Sequence, residues 1–147
     1  MNYDFIIYGG GISSQIAALA LAKGNFRVCF IENPTIKKSD SNLVTFLSQG
    51  SVNYLYSIVD DPNEFNQFAN IEKITCKLAN TNKDSSITFD NEINSVLGKI
   101  LPNNIIKNVL NSCLKKNQNI EILVKKKSIQ KKTDAKKISI IVDEQKE

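Results

Sequence analysis

Hydrophobic and polar positions alternate along this chain in two different periods, and the changes of period mark out its elements. Tyr3–Tyr8 is a short β-branched and aromatic run closed by glycines, the pattern of a buried strand. From Ile12 to Lys23 the spacing becomes helical, with Ser13 and Ser14 in the first turn and Gly24-Asn25 as a stop. Arg27–Ile31 returns to strand character, ends in Glu32 and is broken by Asn33-Pro34. Strand, helix and strand in so short a span predict a right-handed βαβ unit with two neighbouring parallel strands.

Beyond that unit the pattern is more broken. Thr35–Asn42 is polar and reads as loop, "LVTFL" as a short strand, and Gln49–Ile58 as a helix spaced through Val52, Leu55, Tyr56 and Val59. Asp60-Asp61-Pro62-Asn63 signals a turn. "IEKITCKL" and "SSITFD", joined by "ANTNKD", predict a hairpin. Leu97–Leu101 predicts another strand, and Pro102 precedes a helix striped by Ile105, Ile106, Val109, Leu110 and Leu114. "IEILV" at 120–124 is a strand, and "SIQKK" with "KKISIIVD" predicts a hairpin turning near Thr133-Asp134. The expected fold class is α/β: a Rossmann-like βαβ unit with an inserted antiparallel sheet segment, in one domain over residues 1–147.

Composition narrows the chemistry. The 147 residues are 41% hydrophobic and 23% charged, ordinary for a chain that buries a core. The net charge of +4 comes almost wholly from lysine, since Arg27 is the only arginine. With asparagine and isoleucine also abundant, this reads as compositional bias rather than a nucleic-acid surface, which would recruit arginine. The lysine-rich stretch "VKKKSIQKKTDAKK" reads as a solvated hairpin face, with an anionic membrane or partner surface as the competing reading. No histidine is present, which excludes His-dependent triads and zinc–histidine sites. Cys29, Cys76 and Cys113 show no CxxC spacing, so free thiols of a cytoplasmic protein are expected, with Cys29 and Cys76 in the core. Met1 leads almost directly into the first strand, where no secretory leader is expected. The apolar run "IAALALA" is too short to span a bilayer. Tyr54 and Tyr56 are expected to pack, and no metal site is expected.

The strongest chemical signal is "GGGISS". Gly9 permits a tight turn after the first strand, Gly10 continues it, and Gly11 lets the backbone approach a pyrophosphate. The helix start near Ile12, Ser13 and Ser14 turns its amide groups and positive dipole end toward that anion. Ser14 stands where the fingerprint expects its third glycine, while Ala18 keeps the helix face small. Glu32 closes the second strand, where an acid accepts hydrogen bonds from the adenosine ribose. The competing readings are a solvated strand-end glutamate and a small NAD-binding protein.

"YDFIIYGGGISSQIAALALAKGNFRVCFIE" resembles the N-terminal flavin segment of the FAD-dependent aromatic hydroxylases, most closely the ubiquinone-biosynthesis (UbiH-type) monooxygenases. "SNLVTFLSQGSVNYLYSI" is similar to their segment in which an "RTTAL"-like motif precedes a helix. "SSITFDNEINSVLGKILPNNIIKNVLNSCLKKNQNIEIL" is similar to the run that follows. The resemblance implies an FAD-binding monooxygenase that hydroxylates the aromatic ring of a polyprenylated ubiquinone precursor. Gly9, Gly10, Gly11, Ser13, Ser14 and Glu32 would bind FAD, and residues 101–104 would lie near flavin and substrate. NAD(P)H is the implied electron donor, without a recognisable binding motif, and no catalytic residue is indicated. Implied partners are the polyprenylated substrate and a C-terminal companion fragment or other quinone-synthesis proteins, with at most peripheral contact at the inner membrane face. The chain departs from the family at Ser14 and at Leu43, which takes the place of the motif's arginine. No Gly-Asp pair, the family's second FAD signature, occurs in residues 1–147, so that signature is expected downstream. The alternative is a catalytically inactive truncated homologue or split-gene fragment that retains at most nucleotide binding.

Overall fold

The computed structural model describes residues 2–32, 43–77, 86–90, 96–124, 129–134 and 137–142. The chain divides into two compact units, residues 1–39 with 110–147 and residues 40–109.

In the first unit the βαβ pattern is realised. Strand β1 (Phe5–Tyr8) leads through the glycines into helix α1 (Ile12–Lys23), and β2 (Val28–Glu32) follows. β1 pairs with β2 in parallel, and β2 pairs in parallel with β8 (Ile120–Val124), giving the order β1-β2-β8. The central strand is the most apolar and the most enclosed: Val28, Cys29, Phe30 and Ile31 are all buried, as a parallel strand covered on both faces requires. α1 lays Gln15, Ala18, Leu19 and Ala22 inward, an i, i+3, i+4, i+7 stripe of mostly small residues that permits close approach to the sheet.

α1 stops at Gly24-Asn25, as its sequence predicts. Asn25, not Gly24, adopts the left-handed conformation (φ 64°). Its N–H donates to the Ala22 carbonyl at 3.0 Å while the Phe26 N–H donates to Leu21 at 3.2 Å, a Schellman closure of the last turn. Asparagine tolerates this conformation better than other residues with a side chain.

The second unit holds β3 (Val44–Ser48), α2 (Gln49–Ile58), a 3-10 turn at Pro62–Phe65, β4 (Asn70–Ile71), β5 (Lys73–Lys77), β6 (Ser86–Asp90) and β7 (Gly98–Pro102). β3, β7 and β4 form one antiparallel sheet, and β5 with β6 forms the expected hairpin. Ser48 caps α2 by accepting from the Ser51 N–H, and Asp61 caps the 3-10 turn by accepting from Asn63, so the turn signal becomes a helical turn. Phe65, Leu101, Val52, Ile106 and Leu55 are its most deeply buried large side chains. The unit boundary falls inside α3 (Asn103–Lys116), whose stripe buries Ile106, Val109, Leu110, Cys113 and Leu114.

The terminal hairpin forms from β9 (Ile129–Asp134) and β10 (Lys137–Val142). Thr133 and Asp134 lie within β9, paired with Ile138 and Lys137 of β10, and residues 135–136 between the strands lie outside the described residues. Asn33-Pro34, Thr35–Asn42, the "ANTNKD" connection and the lysine side chains of the terminal hairpin lie outside the described residues or their side chains. Two packing expectations are corrected. Cys76 is exposed because β5 belongs to a two-stranded hairpin with no layer laid over it among the described residues. Tyr54 is 52% exposed because the buried face of α2 runs through Val52, Leu55, Ile58 and Val59 instead. Tyr56 does pack, stacked on Phe65 with ring centroids 5.9 Å apart.

Candidate functional site

The residues singled out in the N-terminal stretch meet at one edge of the parallel sheet. Gly9 continues β1, its N–H donating to the Ile31 carbonyl at 3.0 Å. Because Tyr8 pairs with Ile31 in the register, Gly9 falls level with Glu32 on the adjacent strand. The glycine loop and the acid therefore sit side by side at the carboxyl end of two parallel strands, where open α/β sheets hold their ligands. Glu32 is half-buried there, in register with Val124 of β8.

Gly11 is the N-cap of α1, with extended backbone (φ −93°, ψ 168°) and no side chain to cap the first turn. No acidic side chain lies in that turn either. The amide groups at the helix start are thus left to another acceptor, and the dipole favours an anion. A Cβ placed on Gly11 meets nothing within 4 Å, so open space faces the loop at this position. Ser13 is exposed in the same turn. These features fit a pyrophosphate-bearing cofactor: backbone donors, open approach at Gly11, and a carboxylate one strand away.

Ser14 is accommodated by a local rearrangement of roles. Its hydroxyl donates to the Gly11 carbonyl at 2.7 Å, and its Cβ and Oγ occupy the space that a side chain on Gly9 would need. The helix keeps its close seat on the strands because Gly9 supplies the room. Behind this turn Gln15 is buried and its Nε2 donates to Asn111 Oδ1 of α3 at 2.6 Å, while its Oε1 has no partner. The spacing could have revealed Gln15: it lies on the same i, i+3, i+4, i+7 stripe as Ala18, Leu19 and Ala22.

Leu43 and residues 101–104 belong to the other unit and are brought together there. The Leu43 carbonyl accepts from the Asn103 N–H at 2.9 Å, and Thr45 Oγ1 donates to Asn103 Oδ1 at 2.6 Å. The Leu43 side chain is 50% exposed. Elsewhere in the parallel sheet, Tyr3 donates to Glu121 Oε2 at 2.6 Å, which pushes its phenol up to about 12. Burial pushes the Cys29 thiol up, so it stays protonated and inert. Among the described residues no helix is long and apolar enough to cross a membrane.

No family model matches this chain, and no curated protein matches it. Solved structures do. p-Nitrophenol 4-monooxygenase PnpA from Pseudomonas putida DLL-E4 is 18% identical with a TM-score of 0.68, the match covering 92% of this chain and 35% of that one. A geranylgeranyl bacteriochlorophyll reductase-like protein from Thermoplasma acidophilum is 19% identical with a TM-score of 0.66, covering 92% and 33%. PqsL from Pseudomonas aeruginosa, a probable FAD-dependent monooxygenase, is 14% identical with a TM-score of 0.58, covering 88% and 35%. These likenesses define the fold: an α/β segment with parallel and antiparallel sheets of the kind found in FAD-dependent monooxygenases. The chain spans about a third of the length of these structures.

Proposed function

We propose that this chain is the nucleotide-binding portion of an FAD-dependent monooxygenase acting on an aromatic ring. In this reading the FAD pyrophosphate lies against Gly9, Gly10 and Gly11 and the first turn at Ser13 and Ser14, and Glu32 accepts the adenosine ribose hydroxyls. The observation that carries it is the register that sets Gly9 level with Glu32, with open space in front of Gly11. Bound and reduced, FAD would supply the reaction with O₂ that hydroxylates the ring. The order of the three resembling segments favours a polyprenylated ubiquinone precursor as substrate and NAD(P)H as electron donor. A catalytically silent homologue that retains at most nucleotide binding is the second reading, favoured by exposed Leu43 at the position where the resemblance expects an arginine.

Titrating the purified chain with FAD, followed by flavin fluorescence and the visible band, tests the binding step. Saturable binding is expected, weakened roughly tenfold in Glu32→Gln, equivalent to about 1.4 kcal/mol. A folded chain that ignores FAD at about 1 mM, or one that takes NAD in its place, overturns the reading.

A further inference from the structure

The first peptide of α1 joins Gly11 to Ile12, and two donors converge on its carbonyl oxygen. The Gln15 N–H donates to it at 3.2 Å, the ordinary first bond of a helix, and the Ser14 hydroxyl donates to it at 2.7 Å. No cis peptide bond occurs among the described residues, and in a trans peptide the N–H points opposite to the C=O. With the Gly11 carbonyl held along the helix, the Ile12 N–H is turned out of the helix start, where no side chain caps it.

Helix starts are ordinarily held by an N-cap side chain that accepts from the first turn, as Ser48 does for α2 by accepting from the Ser51 N–H. α1 has Gly11 at that position, so no cap competes with a ligand for the N–H groups. The cost is that the most permissive residue sits where the first peptide must be aimed. Ser14 restores the restraint from the other end of that peptide: it occupies the carbonyl and leaves the N–H to a ligand. Ser57 makes the same kind of bond, to the Tyr54 carbonyl at 2.7 Å, but inside α2, where it is an ordinary local bond. The acceptor sets Ser14 apart, being the N-cap carbonyl of the loop whose Gly9 lies level with Glu32.

We propose that Ser14 is a positioning residue for the FAD pyrophosphate, its hydroxyl fixing the Gly11–Ile12 peptide so that the Ile12 N–H donates to the anion. A backbone N–H aimed at a phosphate oxygen makes a charge-assisted bond, and such a bond weakens steeply when its angle closes. Ser14 touches no ligand in this arrangement; it acts through the peptide it holds. The bare Gly9 is part of the device, because a Cβ there would fall 2.9 Å from the Ser14 Oγ. The serine is therefore a working replacement for the third glycine of the fingerprint and not a lesion in it. This inference rests on the FAD reading above and deepens it.

The test titrates the full chain and its variants with FAD and with ADP, which carries the pyrophosphate without the flavin. Ser14→Ala removes the hydroxyl and is expected to bind both ligands about tenfold more weakly, at an unchanged urea unfolding midpoint. Ser14→Thr keeps the donor and is expected to stay within about threefold of wild type, and Ser57→Ala to match wild type. NMR supplies a readout that packing alone would not move: ADP should shift the Ile12 amide resonance in wild type and in Glu32→Gln at saturation, and much less in Ser14→Ala. Ser14→Ala binding as wild type does, Ser14→Thr losing as much as Ser14→Ala, or an Ile12 amide that ADP leaves in place would each overturn the role of Ser14 while FAD binding stands. A folded wild type that binds neither FAD nor ADP would overturn the FAD reading and this inference with it.

Discussion

A Cβ on Gly9 would fall 2.9 Å from both the Cβ and the Oγ of Ser14. The glycine loop is therefore closed by a pair in which the first member must stay bare because the second is not. Gly9→Ala is expected to destabilise the chain by about 1–3 kcal/mol through overpacking. Adding Ser14→Gly should recover most of that loss, with a coupling of about 1–2 kcal/mol in a double-mutant cycle followed by urea unfolding. Additive effects would mean that the two residues do not share this space.

A sharper steric demand lies in the second unit. A Cβ on Gly98 would run into the Leu47 carbonyl oxygen, so β3 and β7 approach closely only because this position has no side chain. Gly98→Ala should cost about 3 kcal/mol or more, from a forced shift of buried backbone. Gly50, in the first turn of α2, meets nothing within 4 Å, and Gly50→Ala should be neutral or stabilise by up to about 0.5 kcal/mol. Thermal unfolding of the two variants side by side separates a local steric requirement from a general sensitivity to alanine.

Local pattern carried most of the element boundaries, because helix and strand periods and the turn residues that end them are short-range properties. α1 runs from Ile12 to Lys23 as its spacing predicts, since Gly11 precedes a continuous small-residue stripe and Gly24-Asn25 ends it. The glycine loop and Glu32 were legible for the same reason: a βαβ crossover fixes their neighbourhood within one short segment. What spacing does not contain is which distant segment completes a layer. β8 joins β2 although residues 40–109 lie between them in the sequence, and no local pattern announces that pairing. Cys76 was misread because alternation predicts a strand but not whether anything covers it. Tyr54 was misplaced by treating residue type as a guide to burial where helical phase decides it, and the same phase places Gln15 on the buried stripe of α1.

The Tyr3–Glu121 hydrogen bond should show in alkaline titration. Donation to the Glu121 carboxylate, with burial and the nearby charge adding to it, holds the phenol up to about 12 from its usual 10.0. A group whose folded pKa is raised stabilises the fold fully below its unfolded value and loses that contribution as pH rises through the folded value. The loss should fall between about pH 10 and 12. Tyr3→Phe should lower stability near neutral pH by about 1 kcal/mol and remove its share of this alkaline loss. Tyrosinate absorbance of wild type minus Tyr3→Phe should isolate one late-titrating phenol; a difference centred near 10 would show that the bond does not persist in solution.

Gln15 and Asn111 make the opposite case, a buried polar contact that the fold tolerates rather than needs. The Gln15 amide donates to Asn111 at 2.6 Å, but its own carbonyl oxygen is buried without a partner. Removing only Asn111, as Asn111→Ala, leaves the whole Gln15 amide unpaired in the core and should cost about 1–3 kcal/mol. Replacing both, as Gln15→Leu with Asn111→Leu, exchanges an incompletely satisfied pair for apolar contact between α1 and α3. That double variant should match or exceed wild-type stability in urea unfolding, because it relieves an unpaired buried oxygen and adds apolar burial along the Ala18, Leu19 and Ala22 stripe. A double variant less stable than Asn111→Ala would mean that the Gln15 oxygen is satisfied in solution, an ordered buried water being the simplest partner.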